Sequence, residues 1–359
     1  MCHMTSRSKG FFCSVRLFLL SCGPFSAAAA GVPLRLDLAP GGGFDVNYAL
    51  SNGHATDGRD VLTGHMLGTV EINPAGEVTR LALTGGRIAH QNATLSVPLS
   101  TSFFGIVTKV TISLGGVVSQ IVTNRGPGNV DPASGVLFNP DHRMISNEGT
   151  ITTRYLVGSA VLAQETRNLA TQPDDTPLVG TSTVTATLLA ETGYWKRYRI
   201  DFHHTRDETR TQPVSGIPTL PAGTTLTIRE EGEFSASGEV LVPGEDFVTW
   251  AANSRGASVV GFDALDPQTG HPLLVMYALG ADEGAWTLPV NLDEGSSSLR
   301  MQVPVALRAP VVWEYSASLA SGSWQALAGG RVEQGAQGEQ VIPLPPGGRA
   351  FVRAYVPVP

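Results

Sequence analysis

The run WKRYRIDFHH, residues 195–204, alternates side-chain character with a period of two. Tyr198, Ile200 and Phe202 fall on one side and Arg197, Arg199, Asp201 and His203 on the other, the pattern of a strand with one dry and one wet face. The same texture returns in LGTVEIN, EVTRLALTGG, IVTKVTISLGG, GTITTRYLVGS, GTSTVTATLLAE and GTTLTIREEGEFSASGEVLV, each run broken by turn residues. Between Leu34 and Val242 no helical stripe and no fixed-period repeat is visible, which argues against a solenoid or an α/β fold. The expected fold is therefore all-β, with a large antiparallel β-sandwich over residues 31–242. Composition agrees: charged residues make up 15% of the chain against about 25% in an average soluble protein. The 41 glycines and 24 prolines supply the turns that many short strands need.

The texture changes after Pro243-Gly244. In EDFVTWAANSRG, Phe247, Trp250 and Ala251 stand at helical spacing and Gly256 is a stop signal. HPLLVMYALG reads as a second short helix, with Pro272 near its start and Gly280 past its end. Beyond Trp286 strands resume in SLRMQVPVAL, VVWEYSASL, EQVIPLPP and AFVRAYVPV. The expected division is a leader over 1–30, the β-sandwich over 31–242, a helical joint over 243–285 and a small sandwich-like β module over 286–359.

Residues 1–30 carry Arg7, Lys9 and Arg16 without an acid, then Leu17-Phe18-Leu19-Leu20, then Ala27 to Ala30. A positive start, a short apolar middle and small residues before the cut are the parts of a secretory signal, so cleavage near Ala30 is expected. Leu19-Leu20-Ser21-Cys22 offers the alternative of a lipoprotein anchored at Cys22. All three cysteines, Cys2, Cys13 and Cys22, lie in this leader, so the mature chain is expected to fold without a disulfide. The whole chain has 24 basic and 31 acidic residues, a formal net charge of −7. Loss of the leader makes it more acidic still, the opposite of the basic footprint of a nucleic-acid protein. No later apolar segment has the length of a membrane-spanning helix. The expected location is outside the cell or at its surface.

The order FVTWAANSRG, DPQTG, YALGADEG, VVWEYSASLASGSW, RAFVRAYV resembles a C-terminal module found on secreted proteins of Verrucomicrobia and related bacteria. In that family a Trp-Ala helix leads into a thrombospondin type 3-like calcium loop, then a short helix ending in Tyr-Ala-Leu-Gly and a small β domain. The matching positions are Trp250, Ala251, Ala252, Tyr277, Ala278, Leu279, Gly280, Glu314, Ser316, Leu319, Trp324, Phe351 and Arg353. The resemblance implies export and display and no particular reaction, and calcium is the one ion it raises. Here Pro267 and Thr269 stand where the loop aspartates would, which leaves Asp263 and Asp266, with Asp282 and Glu283 beyond the helix. Calcium takes six to eight oxygen ligands, so a metal-free joint is the expectation.

Local catalytic signatures such as Gly-x-Ser-x-Gly, His-Glu-x-x-His and the P-loop are absent. His203 with Asp207 could serve a divalent metal through imidazole and carboxylate, although the plain alternative is a strand end running into a charged stretch. His54, Asp57 and Asp60 lie in the Gly-rich span SNGHATDGRDVLTGH and could line a ligand loop or an ordinary turn. Tyr194, Trp195 and Tyr198 could form an aromatic platform for sugar rings or belong to the core. Glu230, Glu231 and Glu233 could suggest a glycosidase pair, or a solvated strand that discourages edge pairing.

The expected function is that of an exported, non-catalytic β-sandwich protein that binds or displays a surface component. The expected partner is a surface glycan or an extracellular matrix component, with no cofactor. A polysaccharide hydrolase with a site built from scattered residues, and a structural component of an extracellular layer, are the alternatives.

Overall fold

The structure is a computed structural model that describes residues 31–359 apart from Asn52, His54, Asn92, 102–106, Arg125, 139–140, 214–222, Val260, 282–288, 293–297, 304–305, Leu319, Ser321 and 346–350. The expected leader with Cys22 and Ala30, the candidate His54, and Asp282, Glu283 and Leu319 lie outside the described residues. The chain is all-β apart from two helices. It divides into two compact units, one running to Ala190 and including Arg197–Leu241, the other made of Glu191–Lys196 and Val242–Pro359.

The first unit is one antiparallel sheet of fourteen strands among the described residues. In chain order they are β1 (Val32–Leu38), β2 (Gly43–Leu50), β3 (Ala55–Ile72), β4 (Val78–His90), β5 (Ala93–Thr101), β6 (Val107–Thr123) and β7 (Gly128–Val130). There follow β8 (Leu137–Phe138), β9 (His142–Val157), β10 (Ala160–Asn168), β11 (Asp174–Pro177), β12 (Thr181–Glu191), β13 (Trp195–Pro213) and β14 (Thr225–Pro243). The main path runs β10-β9-β6-β4-β3-β1-β14-β13-β12, so most strands lie beside their neighbours in sequence. β2 carries on from β1 between β14 and β3, and β5 carries on from β4 along β6.

The two ends of the path are tied together. Leu178 N donates to the His142 carbonyl at 2.9 Å and Val184 N to the Gly135 carbonyl at 2.7 Å, bringing the start of β12 back beside the chain that enters β9. The sheet therefore curls round its own core, as the right-handed twist of long strands favours. Leu36, Leu62, Met66, Leu81, Ile88, Ile121, Phe202 and Phe234 form that core, each at most 1% exposed. Tyr198, Ile200 and Phe202 are buried and Arg199 is exposed, as the alternation in this strand requires.

In the second unit α1 (Glu245–Arg255) carries Glu245 and Asp246 in its first turn, where the helix dipole favours acids. It ends at Gly256 in the left-handed region, φ 60°, whose N–H caps the Ala252 carbonyl. α2 (Leu273–Ala278) buries all six of its residues. β15 (Val290–Leu292), β16 (Ser298–Val303), β17 (Val311–Ser316), β18 (Gln325–Val332), β19 (Gly338–Pro343) and β20 (Phe351–Tyr355) make two three-stranded sheets, β15-β16-β19 and β18-β17-β20. Both helices share one apolar cluster with these sheets, through Phe247, Trp250, Met276, Tyr277, Met301 and Trp313. The expected joint and the expected small module thus form a single body.

Candidate functional site

On the inner face of the large sheet the apolar alternation gives way to polar residues part-way along the strands. β13 continues past Phe202 with His204 and then Arg206, whose side chain is only 11% exposed. Arg206 Nη2 lies 2.5 Å from Glu208 and 2.7 Å from Glu230, and Arg210 reaches the other oxygen of Glu230 at 3.1 Å. Burial, and then the Glu230 carboxylate, push the Tyr48 hydroxyl above its usual pKa.

Four further strands complete the belt. Asp60 Oδ2 on β3 accepts from His90 Nδ1 on β4 at 2.7 Å, His90 Nε2 meets Ser119 Oγ on β6 at 2.6 Å, and Ser119 Oγ meets Ser146 Oγ on β9 at 2.7 Å. Register explains the meeting: His90 stands opposite Leu62, Ser119 opposite both Ile88 and Ser146, so each pair is direct or diagonal across neighbouring strands. β2 comes close enough to fix Asp60 only because residue 43 is glycine; a Cβ there would stand 2.0 Å from the Asp60 carbonyl. An ionised Asp60 offers acceptors alone, so Nδ1 carries a hydrogen. With a neutral ring Nε2 then takes the Ser119 hydrogen, and Ser119 takes that of Ser146.

The belt separates two apolar regions. Along β14 the order is Phe234, Glu230, Leu226, and along β6 it is Ile121, Ser119, Val110. Phe234 and Ile121 belong to the main core, whereas Leu226 and Val110 pack against a small cluster of Leu50, Val97 and Leu99.

Two buried histidines flank the belt on its main-core side. His142 and His204 are 2% and 1% exposed. Burial is the first cause of both being held near pKa 4, reinforced for His204 by Arg206 and by His142. His204 Nδ1 is 2.9 Å from Ser182 Oγ, and its ring fills the space left by Gly180, whose φ of 139° and close backbone favour glycine. Phe44 and Phe234 lie against the same ring.

The outer face of the same strands is a grid of exposed charges. Asp45 pairs with Arg59 across β2 and β3 at 3.0 Å, and Arg229 on β14 pairs with Glu231 at 2.8 Å and Asp207 on β13 at 3.3 Å. Between them Asn47 and Asp57 stand directly opposite each other. These residues line a shallow open depression.

The sequence candidates are distributed over these surfaces. Asp60 lies in the inner belt and Asp57 on the outer face, so the Gly-rich span is a strand rather than a loop. Tyr194 and Tyr198 are 6% and 4% exposed. Trp195 is partly buried, packed with Tyr194 on the C-terminal cluster, so the three rings do not share a solvent-facing platform. His203 is hydrogen-bonded to Ser235 and lies 3.5 Å from Glu233, while Asp207 is held by Arg229. His203 and Asp207 are four residues apart on an extended strand, roughly 13 Å, too far to share an ion. Glu230 faces inward and Glu231 and Glu233 outward, so they do not flank one cleft.

At the joint, Asp263 is exposed and Asp266 is 1% exposed. Asp266 Oδ2 accepts from the Thr269 N–H at 3.0 Å and its hydroxyl at 2.5 Å, and the Asp266 carbonyl accepts from Gly270 N at 2.8 Å. Thr269, the residue that replaces a loop aspartate, thus meets one carboxylate oxygen of Asp266 and closes the turn. No group of three or more His, Cys, Asp or Glu able to hold a metal occurs among the described residues. Further on, Arg353 pairs with Glu314 at 2.7 Å and lies 4.3 Å from the centre of the Trp324 ring, so three of the resembling positions meet in space.

Sequence reasoning passed over His90, Ser119 and Ser146. The signal was there in the alternation: His90 shares a side of its strand with Ile88, and Ser119 with Ile121, so a polar residue sat at a position of dry parity. No family model matches this sequence, and no curated protein matches it.

Proposed function

We propose that the chain is an exported β protein that binds a surface glycan or an extracellular matrix component through the outer face of β2, β3 and β14. The observation that supports this reading is the opposed pair Asn47 and Asp57: both are exposed and neither side chain is hydrogen-bonded among the described residues, while Asp45, Arg59, Arg229 and Glu231 around them are fixed in ion pairs. An amide and a carboxylate held on neighbouring rigid strands offer donors and acceptors at a spacing suited to adjacent hydroxyl groups, and unspent polar groups on a preorganised frame favour binding. Export is supported by the leader-like residues 1–30, and attachment by the C-terminal order of helix, closed aspartate turn, Tyr-Ala-Leu-Gly helix end and small sheets.

A glycan-array screen of the mature chain tests the reading. The expected result is binding to one class of polysaccharide without turnover, weakened at least about tenfold by Asp57→Ala or Asn47→Ala, a loss of about 1.4 kcal/mol. Binding that survives both substitutions places the contact elsewhere, and silence on glycans and matrix components alike removes the proposal.

A further inference from the structure

We propose that the inner belt is an acyl-transfer centre in which Ser146 is the nucleophile and carboxylic esters are the substrate class. It concerns the opposite face of the sheet from the binding surface and does not depend on it. Three contacts in series carry it: Asp60 to His90 at 2.7 Å, His90 to Ser119 at 2.6 Å and Ser119 to Ser146 at 2.7 Å. A carboxylate on Nδ1 with a hydroxyl on Nε2 is the arrangement that lets an imidazole accept a proton from an attacking oxygen.

Ser119 cannot itself meet a substrate. It is 1% exposed, and its oxygen already receives the Ser146 hydrogen while its own hydrogen goes to His90. Ser146 stands at the outer end of the series and is partly exposed, so the basicity of the imidazole is delivered one hydroxyl further on. Opposite Ser146 on β11 is Asp174, whose carboxylate lies 3.2 Å from the Arg167 guanidinium; the Gln172 and Pro173 carbonyls hold the same group in place. The carboxylate opposite Ser146 is thus paired with Arg167 rather than left to oppose a developing oxyanion. Asp60 Oδ1 is buried without a hydrogen-bond partner among the described residues, and its Oδ2 meets His90.

The step balances. Ser146 Oγ bonds to the ester carbonyl carbon as its proton passes to Ser119 and the Ser119 proton passes to His90 Nε2. The carbonyl electron pair moves onto oxygen and returns to expel the alkoxide, which takes the proton back along the same series. Water then attacks the acyl-serine by the same route and releases the carboxylic acid. In this scheme Ser146 is the catalytic residue, and Ser119, His90 and Asp60 are positioning residues that act through it.

The test is labelling of the intact chain with a serine-reactive fluorophosphonate, with the adduct mapped by peptide mass spectrometry and p-nitrophenyl acetate hydrolysis measured in parallel. The expected result is one adduct, on Ser146, lost in Ser146→Ala and slowed roughly a hundredfold in His90→Ala. Added imidazole should restore part of the His90→Ala rate, which a purely structural role for His90 would not allow. No adduct on the native chain, an adduct on another serine, or labelling no faster than in the urea-unfolded chain overturns the proposal. Should His90→Ala fail to fold, labelling of the wild-type chain and of Asp60→Asn decides by the same criteria.

Discussion

Asp60, His90 and Ser119 lie inside the large sheet with one another as partners, whereas in the C-terminal unit buried Asp266 and Ser316 each close something local. Asp266 closes its own turn, and Ser316 is bonded to Ser323 in the loop that follows β17. The difference follows from geometry. A sheet sets side chains of neighbouring strands about 5 Å apart, so a polar residue inside it is satisfied by residues far away in sequence. A turn or helix end supplies backbone groups a few residues away. Polar burial in the sheet is therefore collective, and in the C-terminal unit it is one residue at a time.

The largest effect that would test this contrast comes from the apolar core of the C-terminal unit. Trp313 is fully buried, and Trp313→Ala is expected to destabilise that unit by about 3–5 kcal/mol in denaturant titration, with the large sheet unaffected. Acid should act on the other unit. His142 and His204 stay neutral in the folded sheet down to about pH 4, whereas in the unfolded chain they take a proton near 6.5. Below 6.5 the unfolded state binds more protons, so stability falls as pH drops from 6.5 to 4, by up to about 3 kcal/mol for each histidine. Calorimetry across that window should lower the transition of the large sheet more than that of the C-terminal unit, and His204→Phe should flatten the dependence. Equal shifts in both transitions would remove the distinction.

Smaller effects probe the belt and the turn. Ser119→Ala leaves His90 Nε2 and Ser146 without their partner and is expected to cost about 1–3 kcal/mol. Replacing Asp60, His90 and Ser119 together by Leu, Leu and Ala should cost less than the sum of the single changes, since no stranded polar group remains. Thr269→Val should cost about 1 kcal/mol through the lost hydroxyl bond, while the Thr269 N–H keeps its own bond to Asp266, so that Asp266→Ala adds a further, separate cost. A double-mutant cycle that is additive in the sheet and coupled only at the turn would reverse the comparison.

Most of the strands could be read from the chain because alternation is a local property: Tyr198, Ile200 and Phe202 face inward for the same reason that Arg199 faces out. α1 was legible from Phe247, Trp250, Ala251 and the Gly256 stop, all within one helix length. The Gly-rich span around Asp57 and Asp60 read as a loop because glycine usually marks a turn. In the structure it is a strand from Ala55 onward, where Gly58 lies against the end of the Leu95 side chain. Of the belt Asp60 and Glu230 stood out, whereas His90, Ser119 and Ser146 lie 30, 59 and 86 positions away from Asp60 and no local spacing connects them.

By itself the sequence determined the all-β class, the two short helices and which face of many strands is dry, because these depend on side-chain period and on turn residues a few positions apart. The tertiary structure decided that the strands form one curled sheet, that the joint and the small module share a core, and that a carboxylate, an imidazole and two hydroxyls stand in line across four strands. Register between distant strands set those contacts, and a shift of one residue in any of them would have turned the same side chains to solvent.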